Sequence, residues 1–228
     1  GDRECDAIGR LRRSERFAVF HHEQAIGRAD ECASVGRDCE RTRLAPVAFS
    51  LQEDVEPGTL AGLTKLAKLL RVTQITAPAS PLGTPFNIEI DRLRNFQQIA
   101  AADGVRLSIN TRIGDLTEDP HTAVELCQSV RGLGLTLDPS HYLTGPNRGK
   151  SFDQVFPHVY HVHLRDSTAD QLQVQVGLGE MDYSRLIQSL GRAGYKGALA
   201  VEILPGLAGD LDRGLELRKL RMLLESLL

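Results

Sequence analysis

Leu133 to Asp138 reads LGLTLD, and Val159 to Leu164 reads VYHVHL. Successive side chains of an extended chain point to opposite sides. Leu133, Leu135 and Leu137 therefore share one face, opposite Gly134, Thr136 and Asp138. In the second stretch Tyr160, Val162 and Leu164 oppose Val159, His161 and His163. Leu199, Val201 and Ile203 likewise oppose Ala198, Ala200 and Glu202. One face asks for a covering layer of helices, and the other is small or polar. A strand of a (β/α) barrel meets both demands, packing outward on a helical shell and inward on the lumen. On this reading Asp138, His161, His163 and Glu202 point inward. Asp138, His163 and Glu202 stand at or near the C-terminal strand ends, where barrel enzymes keep their chemistry.

Working outward, short apolar runs alternate with stretches of helical period, the pattern of repeated βα units on a parallel sheet. Strands are expected at 17–20, 47–51, 72–76, 105–110, 133–138, 159–164 and 199–203. Helices are expected at 24–43, 58–70, 88–102, 122–130, 183–193 and 211–227. Asp182 suits an N-cap and Gly194 a C-terminal stop for the helix between them. The expectation is an α/β fold, a (β/α)8 TIM barrel, as one domain over residues 1–228. Seven strands fall one short of the barrel, and 228 residues is below the roughly 250 typical of it. The first βα unit is therefore expected to be missing, divergent within residues 1–16, or outside the sequence, whose first residue is Gly. Leu143 to Ser151 follows a strand and reads as an active-site loop. A second loop, Asp166 to Met181, carries the glycines of GLGEMD.

Net charge is −3 and the isoelectric point about 6.2, with no long block of like charge. The broad basic face that nucleic acid or anionic lipid would need is not evident, and the basic stretch Arg10 to Arg16 reads as a solvated helix face. A small neutral or anionic ligand fits better. Cys5, Cys32, Cys39 and Cys127 have no CxxC spacing and read as reduced thiols, with Cys32 and Cys39 on one helical face as packing residues. With no membrane-span or signal-peptide pattern, a cytoplasmic location is expected, without nucleic-acid or membrane partners. A homo-oligomer is compatible with the sequence.

Each inward polar residue alone has an ordinary explanation as a turn former or a satisfied core group. Together they are costly, because several ionisable groups aimed into one barrel mouth pay a desolvation penalty unless something compensates. A divalent cation on Asp138, His163 and Glu202 is the simplest compensation. Oxygen and nitrogen donors without thiolate suit Mn, Mg, Zn or Co.

The motifs VRLSINT (Val105 to Thr111), GLTLDPSHY (Gly134 to Tyr142), HVHLRDS (His161 to Ser167), GLGEMDYSRLIQSL (Gly177 to Leu190) and GYKGALAVEI (Gly194 to Ile203) occur in that order. This set resembles the sugar phosphate isomerase/epimerase group of the xylose isomerase-like barrel superfamily, which also contains ketose 3-epimerases, inosose dehydratase and endonuclease IV. The resemblance implies one divalent metal ion on Asp138, His163 and Glu202, with His141 contacting substrate. His161 and Arg165 are weaker candidates for substrate contact, with packing of His161 and a surface role for Arg165 as the alternatives. Where the family places a Glu ligand at the end of the preceding strand, this chain has Asn110, whose amide oxygen can coordinate a hard cation but cannot accept a substrate proton.

The expected activity is metal-dependent isomerisation or epimerisation of a small sugar or sugar phosphate through an enediolate, with Glu202 as base and His141 polarising a substrate hydroxyl. Alternatives are dehydration of a related sugar or cyclitol, and a catalytically impaired barrel that binds a sugar or a protein. Phosphodiester cleavage is disfavoured, because the strands ending in Phe49-Ser50-Leu51 and Thr76-Ala77-Pro78 lack the extra His ligands of a multi-metal site.

Overall fold

The computed structural model describes residues 17–18 and 46–228. The expected helix at 24–43, the basic stretch at 10–16, and Cys5, Cys32 and Cys39 lie outside the described residues.

Seven parallel strands form one sheet: β1 (Phe17–Ala18), β2 (Phe49–Ser50), β3 (Gln74–Ala77), β4 (Arg106–Asn110), β5 (Leu133–Leu137), β6 (Val159–Leu164) and β7 (Leu199–Val201). Their order in the sheet is β1-β7-β6-β5-β4-β3-β2, all pairs parallel. The last strand thus returns to the first, as in a closing barrel, while β1 and β2 are the edges. Among the described residues the fold is a curled, incomplete TIM barrel whose opening lies between β1 and β2. The divergent unit expected at 1–16 lies outside the described residues.

Helices α1 (Pro57–Leu69), α2 (Phe86–Ala102), α3 (Pro120–Ser129), α4 (Ser140–Thr144), α5 (Tyr183–Arg192), α6 (Pro205–Ala208) and α7 (Arg213–Glu225) follow in chain order. Local chemistry sets their ends. Asp182 accepts a hydrogen bond from the Arg185 amide at 2.9 Å and starts α5. Gly194, at φ +79°, follows its last turn. Asp119 caps α3 in the same way, accepting from the Thr122 amide at 2.9 Å. The outward strand residues Leu107, Ile109, Leu135, Leu137, Val162, Leu164 and Val201 are all buried against the helical layer with Leu60, Leu93 and Leu126. The expected loop at Leu143 to Ser151 begins two residues later than the sequence suggested, at Gly145. His141 lies in the short helix α4.

The inner face differs from strict alternation at one strand. Leu135 pairs with Val159 and Thr136 with His161, so Tyr160 is an extra residue bulging from β6. Its ring occupies the space that a Cβ at Gly134 would need, and the Arg106 guanidinium lies 5.3 Å from its centroid. Gly134 and Arg106 belong to the inward sets of their strands, so Tyr160 faces the lumen. This overturns its expected place beside Val162 and Leu164, because a bulge lets two consecutive residues share a face.

Above Tyr160 lies a layer of hydroxyls. Thr136 Oγ1 is 2.7 Å from both Thr76 Oγ1 and Ser108 Oγ, and those two are 3.2 Å apart. Gln74 Nε2 donates to Ser108 Oγ at 2.6 Å. All four residues are buried.

Candidate active site

Inward positions climb around the sheet. Asn110 pairs with Thr136, two residues below Asp138. His163 pairs with Ala200, two residues below Glu202. The Glu202 amide extends the ladder by donating to the Leu164 carbonyl at 2.9 Å. This stagger brings Asp138, His163, Arg165 and Glu202 to one place at the C-terminal end of the barrel. All four are buried, Arg165 most deeply at 2% exposure.

The sequence DPS after β5 fixes Asp138. Its Oδ1 accepts from the Ser140 amide at 3.0 Å and from the Ser140 hydroxyl. This is the side-chain-to-backbone turn that Asp favours two residues upstream of an amide. Thr111, just past β4, locks the backbone: its Oγ1 accepts from the Asp138 amide at 2.8 Å and donates to the Asp138 carbonyl at 3.2 Å. Oδ2 is left to face the lumen. There it meets Arg165 Nη2 at 2.6 Å, with His141 Nε2 at 3.6 Å.

Arg165 Nη2 also contacts Glu202 Oε2, so one nitrogen bridges the two carboxylates. Glu202 Oε2 in turn lies 3.3 Å from His163 Nδ1. Burial opposes a charge on His163, but Glu202 beside it outweighs this and raises its pKa. His161 stands edge-on to His163, their centroids 5.1 Å apart. Burial and the neighbouring His163 push His161 down to about 3, so it is a neutral packing partner of His163.

His141 Nδ1 accepts a hydrogen bond from the Ile113 amide at 3.2 Å. The tautomer follows, since a neutral imidazole that accepts at one nitrogen carries its proton on the other. Burial lowers the His141 pKa, partly countered by Asp138. His141 is thus a neutral ring presenting Nε2–H to the mouth.

Arg165, expected to be a substrate contact or a surface residue, is neither exposed nor peripheral; it stands at the centre of the cluster. Its Nε and Nη1 are buried without hydrogen-bond partners among the described residues. Each unmet buried donor costs about 1–3 kcal/mol. Asn110 ends β4: among the described residues its side-chain amide makes no hydrogen bond, and its backbone carbonyl accepts from Thr117 Oγ1 at 2.6 Å.

Two carboxylates and an imidazole at adjacent strand ends are suitable donors for a hard or borderline divalent ion. Among the described residues, however, no three His, Cys, Asp or Glu side chains stand ready-spaced around one. The donor types fit an ion, and Arg165 Nη2 lies against both carboxylates.

Asp166, next in the HLRDS segment, organises the loop beside the mouth. Its Oδ2 accepts from the Gly177 amide at 2.8 Å and the Gly179 amide at 3.1 Å. A Cβ at Gly179 would collide with that carboxylate. The glycines of GLGEMD thus let the backbone close on Asp166. Ser140, Thr111 and Asp166 were absent from the sequence-based candidates. DPS was the readable signal for Ser140, whereas Thr111 acts across strands and left none.

No helix among the described residues is long and apolar enough to cross a membrane. No curated protein shows significant sequence similarity to the chain. Solved structures share its fold at low identity. A D-tagatose 3-epimerase-like protein superposes with a TM-score of 0.72 at 16% identity, over 92% of this chain and 87% of that one. A xylose isomerase-like TIM barrel protein from Mycobacterium smegmatis, in complex with magnesium, gives 0.70 at 16% identity, over 88% and 78%. The probable 3-DHS dehydratase AsbF from Bacillus anthracis, involved in petrobactin synthesis, gives 0.66 at 18% identity, over 86% and 82%. The family model described as xylose isomerase-like TIM barrel matches residues 60–221, and the chain belongs to that family.

Proposed function

We propose that the chain is an enzyme of proton transfer on a small sugar or sugar phosphate, an isomerase or epimerase in the broad sense. The observation that carries this reading is the convergence of Asp138, His163, Glu202 and the Nε2–H of His141 at one barrel end. Asp138, His163 and Glu202 would hold one divalent ion, which supplies Lewis-acid polarisation of a substrate carbonyl.

The chain's own residues divide the remaining work. Glu202, one residue past β7, takes the proton beside the carbonyl, giving an enediolate. His141, held neutral, donates Nε2–H to the substrate oxygen on which charge develops. Thr111 and Ser140 keep Asp138 in place, and His161 packs against His163. The likeness to an epimerase-like protein and to a protein solved with magnesium supports this choice of chemistry.

Asn110 narrows the reaction. Epimerisation by two bases needs a proton acceptor on each face of the carbon, and an amide cannot serve. One-base isomerisation is therefore favoured within this reading. Dehydration, which begins with the same abstraction, is the second reading, and the fold shared with a probable dehydratase is consistent with it.

The test is hydrogen exchange. With Mn2+ added, the protein should incorporate solvent deuterium beside the carbonyl of at least one sugar in a panel of ketoses, aldoses and their phosphates. His141→Ala should slow this exchange far more than it weakens metal binding. Exchange absent from every sugar, with metal bound, would overturn the enzymatic reading in favour of a binding protein.

A further inference from the structure

Arg165 stands where the two carboxylates would share an ion. Its Nη2 lies 2.6 Å from Asp138 Oδ2 and contacts Glu202 Oε2 as well. A divalent ion on the same two oxygens would sit about 2.0–2.2 Å from each, inside the radius of that nitrogen. Ion and guanidinium therefore exclude one another. We infer that Arg165 is a resident cation of the site, and that a divalent ion binds only by exchange with it. This inference rests on the metal reading proposed above.

Two further features make the exchange reasonable. The guanidinium is anchored through a single nitrogen, while its buried Nε and Nη1 have no partners among the described residues. Withdrawal toward water would satisfy donors that the present position leaves unmet. Charge points the same way. Counting only carboxylates and guanidinium, Asp138 and Glu202 give −2, and Arg165 reduces this to −1. With Asn110 adding nothing, a divalent ion meets matching charge only when Arg165 has left. Arg165 is a positioning residue in this role: it holds the carboxylates together when no ion is bound and sets how readily an ion enters.

The experiment is titration of Mn2+ into the metal-stripped full chain by calorimetry. Arg165→Met should bind Mn2+ at least about tenfold more tightly than wild type, since a competing charge a few ångströms from the ion is gone. Arg165→Lys keeps the charge but reaches with one ammonium instead of a planar fork, and should tighten binding by less. In Arg165→Ala, millimolar guanidinium ion should weaken Mn2+ binding back toward wild type, an effect it should not have on the wild-type chain. Equal or weaker Mn2+ binding by a folded Arg165→Met would overturn the inference while leaving the metal reading intact. If Arg165→Met does not fold, the same outcome in Arg165→Lys overturns it. No Mn2+ binding by wild type or any variant would instead refute the metal reading, and the exchange with it.

Discussion

The hydroxyl layer and the charged cluster above it occupy the same barrel, yet they handle buried polarity in opposite ways. Thr76, Ser108 and Thr136 close a ring of three hydroxyls, each able to donate to one neighbour and accept from another. No formal charge is involved; Gln74 Nε2 adds a donor to Ser108, and the Gln74 Oε1 beside it is buried without a partner among the described residues. A few ångströms higher, Asp138 and Glu202 share one nitrogen of a guanidinium whose other two nitrogens are unmatched. Three neutral hydroxyls that satisfy one another have little to offer a ligand. An undermatched charged layer has more, because a ligand can complete what the chain leaves open. Stability is the business of the first layer and exchange of the second.

Four substitutions would sharpen or break this contrast. The largest effect is expected from Glu202→Gln, which removes the base while keeping shape. Deuterium exchange into a responsive sugar should fall by about 10²–10⁴. A small loss of exchange would assign the base elsewhere.

Thr136→Val should act on stability. It opens the hydroxyl ring and leaves Thr76 and Ser108 short of a partner, costing about 1–3 kcal/mol of unfolding free energy. Mn2+ affinity should not move. A change in affinity comparable to that from Arg165→Met would show that the two layers are coupled rather than separate.

His161 lies between them, facing His163, Glu202 and Arg106, and its pKa is pushed from the ordinary 6.5 down to about 3 by burial and by His163. The folded chain thus resists a proton that the unfolded chain accepts. Stability should therefore fall as pH drops from 6.5 toward 3, with this residue contributing up to about 1.4 kcal/mol per pH unit. Denaturant midpoints of wild type and His161→Asn across that range would read the contribution as a difference in slope. Parallel curves would mean that His161 gains a proton within the fold.

The smallest change is expected from Asn110→Glu. A carboxylate one inward step below Asp138 adds charge near the ion without replacing Arg165, so Mn2+ binding should tighten severalfold, on the order of 1 kcal/mol. Epimerase activity toward a ketose should rise or appear. No effect on either would place position 110 outside the reach of the site.

How much of this was legible follows from how local each signal is. Asp182, Gly194 and the two-residue period of Leu133 to Asp138 act within a few residues of themselves, so helix ends and inward faces could be read directly. The stagger that gathers Asp138, His163 and Glu202 was legible as shared strand-end position. Tyr160 was misplaced because a bulge is a relation between β5 and β6 and leaves no mark in either strand alone. Arg165 was undervalued for a related reason. It falls one residue beyond β6, where alternation no longer carries obvious weight, and its importance comes from two carboxylates on other strands. The opening between β1 and β2 could not be inferred from a strand count, which says how many strands there are and not which neighbours they find.

The bulge also bears on how this barrel tolerates change in length. A strand without one behaves like a rigid ruler: adding or removing a residue turns every later side chain to the other face. In β6 the surplus residue sits below His161, and the pairings on either side of it, Leu135 with Val159 and Thr136 with His161, are those of an uninterrupted ladder once Tyr160 is skipped. The lower part of the strand can therefore gain or lose that one residue while His161, His163 and Arg165 keep their phase. Tyr160 is a slip joint between the connection that enters the barrel and the chemistry at its mouth, so the loop below can vary without rotating the site above.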